Sequence, residues 1–249
     1  ASITTFLYDR RGPRAAPALE LVGWSRPHTQ PAGPDTAPPT FTDIGFRATD
    51  LRPVRARLAA VGAEVAEGTA TVRGTESPAL RTVDLDGVPL EVVEAPGAPG
   101  DPAAGAFSHE RMRSTDLDRT VAWFAAIGWA VRARGAGADG AWVSLVLPED
   151  PTFSLEFTEV PVVDGPAVQR RANTQGLYRM ALAVEDVQAA HDAIVASGVV
   201  DDVPEPQFVP MPDTPTGGFT VMFLKGPDDA VVELVSRPRS AVRRPLEPR

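Results

Sequence analysis

Acid–base and metal-ligating side chains recur in this chain at a fixed place in a repeated frame. Asp43, His109 and Arg179 each stand seven residues before an aspartate, namely Asp50, Asp116 and Asp186. Twelve residues after each aspartate comes a glycine: Gly62, Gly128 and Gly198. Each frame then closes on a glutamate inside an apolar run, Glu91, Glu156 or Glu233, and a further closing segment surrounds Glu20 without its opening half. Imidazole and carboxylate groups can ligate a divalent cation or carry a proton. The guanidinium of Arg179 can do neither at neutral pH, but it can hold an anion.

The elements that position these groups are legible from local rules. Each aspartate is a good N-cap, because its carboxylate accepts from the free N–H groups of a first helical turn. The residues up to the glycine carry apolar groups at helical spacing: Leu51, Val54, Leu58 and Val61; Leu117, Val121, Phe124 and Ile127; Val187, Ala190, Ile194 and Val195. The glycine supplies a left-handed terminus. Before each helix runs an alternating strand, with Ile44, Phe46 and Ala48 opposing Asp43, Gly45 and Arg47, and Met180, Leu182 and Val184 opposing Arg179, Ala181 and Ala183. The apolar face must lie under the helix, so Asp43, His109 and Arg179 look the other way. Closing strands repeat the logic around Glu91, Glu156 and Glu233. With turn signals at Asp84–Gly87 and Gly226–Asp229, each frame reads as βαβββ.

The chain resembles the vicinal oxygen chelate superfamily, which includes glyoxalases, bleomycin resistance proteins and extradiol dioxygenases. Leu177-Tyr178-Arg179-Met180-Ala181-Leu182-Ala183-Val184-Glu185-Asp186 looks like the family's opening strand, and Val83-Asp84-Leu85-Asp86-Gly87-Val88-Pro89-Leu90-Glu91 looks like its closing segment. The resemblance implies an α+β fold in which tandem βαβββ modules pair into two cup-shaped mixed β-sheets with helices outside. Residues 19–62 recur 136 positions later, so the chain reads as two copies of a two-module domain whose first module is N-terminally incomplete. By the same offset, about thirty residues with a first strand and helix are expected upstream. The expected layout is a first domain over 1–95, a linker at 96–105, a second domain over 106–238 and a tail at 239–249.

Carried onto this chain, the family's site falls on His109, Glu156, Arg179 and Glu233, expected to converge in the second cup. The resemblance implies a divalent metal held by His109, Glu156 and Glu233, with iron, manganese, nickel, zinc and magnesium left open. Glu156, Glu233 and His109 are the catalytic candidates, and Arg179, Arg111, Arg113 and Trp142 the substrate-binding ones. Arg179 departs from the family pattern and speaks against a two-histidine, one-carboxylate iron site. It can neutralise a glutamate beside a metal or replace the metal in a buried ion cluster. The first cup would hold Glu20, Asp43 and Glu91, with Arg47 as a neutralising partner for Asp43. His191 sits in a helical apolar stripe and reads as a core-edge residue; His28 lies in a proline-rich connection.

Composition limits the remaining choices. With 249 residues, 43% of them hydrophobic, the chain can bury two cores of ordinary size. It has no cysteine, which excludes disulfides and thiolate catalysis. A net charge of −9 argues against an extended nucleic-acid surface, and no apolar run approaches membrane-spanning length. Charged side chains include one lysine, Lys225, among 24 basic residues, a bias typical of GC-rich genomes. The expectation is a cytoplasmic protein with a small-molecule ligand or substrate, monomeric or homodimeric, with no nucleic-acid or membrane partner. The favoured function is a small-molecule enzyme of specialised or detoxifying metabolism with isomerase, lyase or dioxygenase-like chemistry in the second cup; the alternatives are a ligand-sequestering protein of the antibiotic-resistance kind and a metal-free enzyme using Glu and Arg groups.

Overall fold

The computed structural model describes residues 2–12, 17–33, 40–95, 105–137, 139–162, 170–212, 214 and 216–237. The expected linker, apart from Gly105, and the expected tail lie outside the described residues. A hairpin of β1 (Ser2–Tyr8) and β2 (Ala18–Trp24) comes first. Next is β3 (Phe41–Ala48), α1 (Leu51–Ala60), β4 (Ala66–Val72), β5 (Thr75–Val83) and β6 (Pro89–Glu94). The third frame holds β7 (Ala106–Ser114), α2 (Leu117–Ala126), β8 (Ala130–Gly137), β9 (Gly140–Leu147) and β10 (Asp150–Glu159). The fourth holds β11 (Arg179–Val184), α3 (Val187–Ser197), β12 (Gln207–Pro210), β13 (Gly218–Lys225), a 3-10 turn at Pro227–Asp229 and β14 (Val231–Ser236).

The helices form for the reasons read from the sequence. Asp50 accepts from the Arg52 N–H, Asp116 from Arg119, and Asp186 from Gln188 and Ala189. Gly62, Gly128 and Gly198 all adopt positive φ at the far ends.

The frames pair differently from the sequential order expected. Strands β4-β5-β6-β3-β7-β10-β9-β8 make one eight-stranded sheet, so the second and third frames share a cup across the 96–104 segment. The fourth frame forms the four-stranded sheet β11-β14-β13-β12, and the β1–β2 hairpin faces it. The reason is that an opening strand lies at the free edge of its own frame, with unpaired backbone donors and acceptors. Here β3 and β7 satisfy each other antiparallel, with Gly45 opposite His109 and Asp43 opposite Arg111. A repeat shows that each frame has such an edge, and is silent on which two edges meet.

Packing ties the cups together. Leu117, Trp123 and Phe124 of α2, Val187 and Ile194 of α3, and Met222 and Leu224 of β13 share one buried cluster with Phe41 and Met112. Side chains of this size contribute about 1.5–3 kcal/mol each when fully buried. The 3-10 turn adds a polar clasp: Asp228 accepts from the Thr115 N–H at 3.0 Å and from its hydroxyl at 2.5 Å. Among the described residues, no helix is long and apolar enough to cross a membrane.

Candidate functional sites in a closed cup and an open one

The eight-stranded cup is filled by its own side chains. His109 is fully buried, and the ring occupies space that only a glycine at position 45 leaves free. Its Nε2 lies 3.0 Å from Glu91 Oε1. A carboxylate can only accept, so Nε2 carries the proton and Nδ1 is left as a buried lone pair without a partner. Burial lowers the His109 pKa, and the opposing pull of Glu91 does not restore it, so the ring is neutral at pH 7. Glu91 also accepts from Arg111, Nη2 to Oε1 at 2.6 Å, and from Arg81, Nε to Oε2 at 3.0 Å. Burial alone would raise this carboxyl; the hydrogen bond from His109 and the charge and hydrogen bonds of Arg111 outweigh it and hold it at about 2.

Glu156 is closed off from the other side. The two-residue hairpin turn Arg73-Gly74 between β4 and β5 has both residues at positive φ, the type I′ pattern that suits strand twist. It delivers the Arg73 N–H to Glu156 Oε1 at 3.0 Å. The Arg73 side chain runs on to the Ser108 carbonyl at 3.0 Å and the Ser154 hydroxyl at 3.1 Å. Ser154 donates to Glu156 Oε1 at 2.6 Å, and Ser144 donates to Oε2. Trp142 packs on the same turn, with its ring 3.7 Å from where a Cβ on Gly74 would stand. The tip of the second frame therefore plugs the third frame's half of the cup.

The divalent ion that the resemblance implies does not fit this arrangement. Both oxygens of Glu91 and both of Glu156 already accept from donors, and His109 Nε2 donates to Glu91. The guanidinium groups of Arg73 and Arg111 supply the positive charge a metal would bring. Among the described residues, no three histidine, aspartate or glutamate side chains group as a metal site.

The second site is open. Arg179 at the start of β11 places Nε 2.8 Å from Glu233 Oε2 and Nη2 3.3 Å from Glu20 Oε2. The Nε–H does not point along the first contact, so this pair is held by charge rather than by a hydrogen bond. Phe223, opposite Glu233 in register, lies under the guanidinium at 5.7 Å. Burial raises the Glu233 pKa, Arg179 opposes the rise, and Glu20 adds to it. Beside this cluster Ala181, Ala183 and Phe223 are exposed, and Phe6 and Tyr8 stand on the Glu20 face of the hairpin. A guanidinium between two carboxylates leaves no place for a second cation, so a divalent ion does not fit here either.

The residues expected to meet in one cavity are thus split. His109 and Glu156 belong to the closed cup with Glu91; Arg179 and Glu233 belong to the open one with Glu20. The misassignment follows from the pairing of β3 with β7. Arg111 binds Glu91, and Trp142 packs against the plug. Arg113, at the end of β7, is anchored by its N–H to the Thr40 carbonyl at 2.9 Å. The charged neighbours of Arg47 are Arg11, Asp9 and Asp150 rather than Asp43. His191 is buried at the edge of α3, 3.0 Å from Asp192, as expected of a core-edge residue. Sequence reasoning missed Arg73 and Gly45. The first could have been suspected from Arg-Gly between two alternating strands, the second from a glycine inside a strand at a site position.

The fold agrees with comparisons to known proteins. Residues 106–234, just over half of the chain, match the family model of the Glyoxalase/Bleomycin resistance protein/Dioxygenase superfamily. The chain belongs to this superfamily. Glyoxalase I from Zea mays has a similar structure, with 19% identity, a TM-score of 0.69, and coverage of 94% of this chain and 78% of that one. At that identity the likeness establishes the fold alone. A bleomycin resistance determinant encoded on the transposon Tn5 matches 52% of this chain with 96% of its own, at 20% identity and a TM-score of 0.38. No protein of curated function matches the chain in sequence. The matched segment 106–234 joins the third and fourth frames, which the sheets distribute between the two cups.

Proposed function

We propose that this chain is a metal-independent small-molecule enzyme of the superfamily that works in its open cup. Arg179 holds an anionic, oxygen-bearing ligand, and Glu233 moves a proton on it. The observation that carries this reading is the Glu233 carboxyl: largely buried, raised in pKa, and 2.8 Å from a guanidinium on an otherwise open sheet face. A carboxyl tuned upward suits proton transfer near neutral pH, and an adjacent guanidinium can stabilise the oxyanion that proton removal creates. The closed cup supports the reading by contrast, because its carboxylates are spent on internal hydrogen bonds.

The exposed aromatic groups Phe6, Tyr8 and Phe223 favour a second reading, a protein that sequesters an aromatic ligand without turnover. One experiment separates the two. Aromatic 2-oxo carboxylates are titrated calorimetrically with chelator present, and deuterium uptake next to the carbonyl is followed by NMR in D2O. The enzyme reading expects binding lost in Arg179→Ala, and uptake lost in Glu233→Gln while binding persists. Binding without protein-catalysed uptake leaves the sequestering role. Binding that needs added metal, or that ignores Arg179→Ala, overturns the enzyme reading.

A further inference from the structure

Two clefts of about 300 Å³ each flank the segment 170–177, with Phe41, Arg170 and Leu177 as their common wall, and neither is lined by Arg179, Glu233 or Glu20. The segment is rigidly tied. Gln30 and Thr174 form a parallel bridge, in which the Gln30 N–H donates to the Asn173 carbonyl at 2.7 Å and the Gln175 N–H to the Gln30 carbonyl at 2.8 Å. The Gln175 side chain donates to Asp86 at 3.0 Å. These ties set Arg170 in place. Its Nη2 donates to the Gln175 carbonyl at 2.5 Å and lies 3.0 Å from where a Cβ on Gly176 would stand.

Among the described residues this is the guanidinium's only hydrogen bond, and its Nε is buried without a partner. Among the described residues, no carboxylate offsets the burial that lowers the Arg170 pKa. The acids around the clefts are engaged elsewhere: Asp228 with Thr115, Asp229 with Lys225 at 2.8 Å, and Asp86 with Gln175. A guanidinium with donors to spare, set beside the apolar side chains of Phe41 and Leu177, is an arrangement that can recognise an amphipathic anion.

We propose that these clefts form a ligand site, separate from the open cup, for a small aromatic or aliphatic carboxylate. The carboxylate accepts from the Nη edge of Arg170, and the apolar body lies along Leu177 and Phe41. The volume of one cleft suits a body of about two fused rings, at the small end of ligand sites.

The test uses 2-naphthoate as the probe and 2-naphthamide as its uncharged counterpart, on the wild-type chain, Arg170→Gln and Arg179→Ala. Saturable 1:1 binding of the naphthoate is expected, about tenfold or more weaker in Arg170→Gln and unchanged in Arg179→Ala. The amide should bind about tenfold or more weaker to the wild type. In the wild type, amide 15N shifts should move at Gly176 and Leu177 and stay fixed at Ala181 and Glu233, a measurement that stands if Arg170→Gln does not fold. Absence of saturable binding, equal affinity in a folded Arg170→Gln, or shifts confined to Ala181 and Glu233 would overturn the proposal. The last result places the ligand in the open cup and leaves the proposed function intact.

Discussion

The imidazole of His109 fills the space that a side chain on Gly45 would need: a Cβ there would come within 2.1 Å of Nε2. The two residues face each other across β3 and β7, the seam where the second and third frames join. Glycine is required at this point for close approach rather than for an unusual backbone angle.

Gly45→Ala therefore pushes the ring off Glu91 or opens the seam. A loss of about 2–4 kcal/mol is expected, in the range of overpacking combined with a broken buried hydrogen bond. Urea denaturation measures it. A loss below about 0.5 kcal/mol would show that the seam yields freely and that His109 is not fixed by it.

Acid should weaken the fold through the same pair. Glu91 is held at about 2 against an ordinary value of 4.5. Its contribution is present above pH 4.5 and is lost as pH falls toward 2. His109 is lowered from 6.5, so it also stabilises above its ordinary value, and that share is lost as pH falls below 6.5. Glu91→Gln should lower stability at pH 7 and flatten its decline below pH 4.5. Thermal melts of both proteins at several pH values are the check; parallel curves would remove Glu91 from the account.

Glu110 should act in the opposite direction. It stands half-buried on β7 between Ile44 and Leu155, and the desolvation of its carboxyl there pushes the pKa up to about 8. A carboxyl raised in the folded state stabilises below pH 4.5, and the contribution is lost as pH rises through 8. Glu110→Gln should therefore be nearly neutral at pH 5 and more stable than wild type at pH 9. The crossing of the two melting curves is the observable, and a variant less stable than wild type at pH 9 would contradict it.

The parts of this molecule that obey local rules were legible in the sequence. Asp50, Asp116 and Asp186 cap helices, Gly62, Gly128 and Gly198 end them, and the alternation in β3 and β11 buries Ile44 and Met180 while Asp43 and Arg179 stay half-buried. Pairing of edges is a non-local choice. Nothing in the spacing of Asp43, His109 and Arg179 says that β7 joins β3, so the grouping of His109 and Glu156 with Arg179 and Glu233 could not be checked against the repeat. Arg73 was hidden for a related reason. It lies in a turn outside the repeated positions and reaches Glu156, 83 residues away, only once the sheet has curled.

Arg73 also allows the metal question to be put to experiment. Its backbone N–H and guanidinium close the cup over Glu156, Ser154 and Ser108, so Arg73→Ala removes the charge-assisted contacts while keeping the turn's backbone donor. A cost of about 1–3 kcal/mol is expected, because the Ser108 carbonyl and the Ser154 hydroxyl lose a buried partner. In a double-mutant cycle with Glu156→Gln, the two losses should fall short of or exceed their sum by about 0.5 kcal/mol or more, as for groups in one network. If guanidinium groups stand where a cation would, chelator should leave the wild-type melting temperature unchanged, and added zinc or nickel should not raise it. A ligand bound at 100 times its dissociation constant stabilises by about 2.7 kcal/mol, a shift that a melting curve resolves easily. A chelator-dependent drop of that size in the wild type would mean that Arg73 and Arg111 yield to a metal, and the assignment of the closed cup to structure would fall.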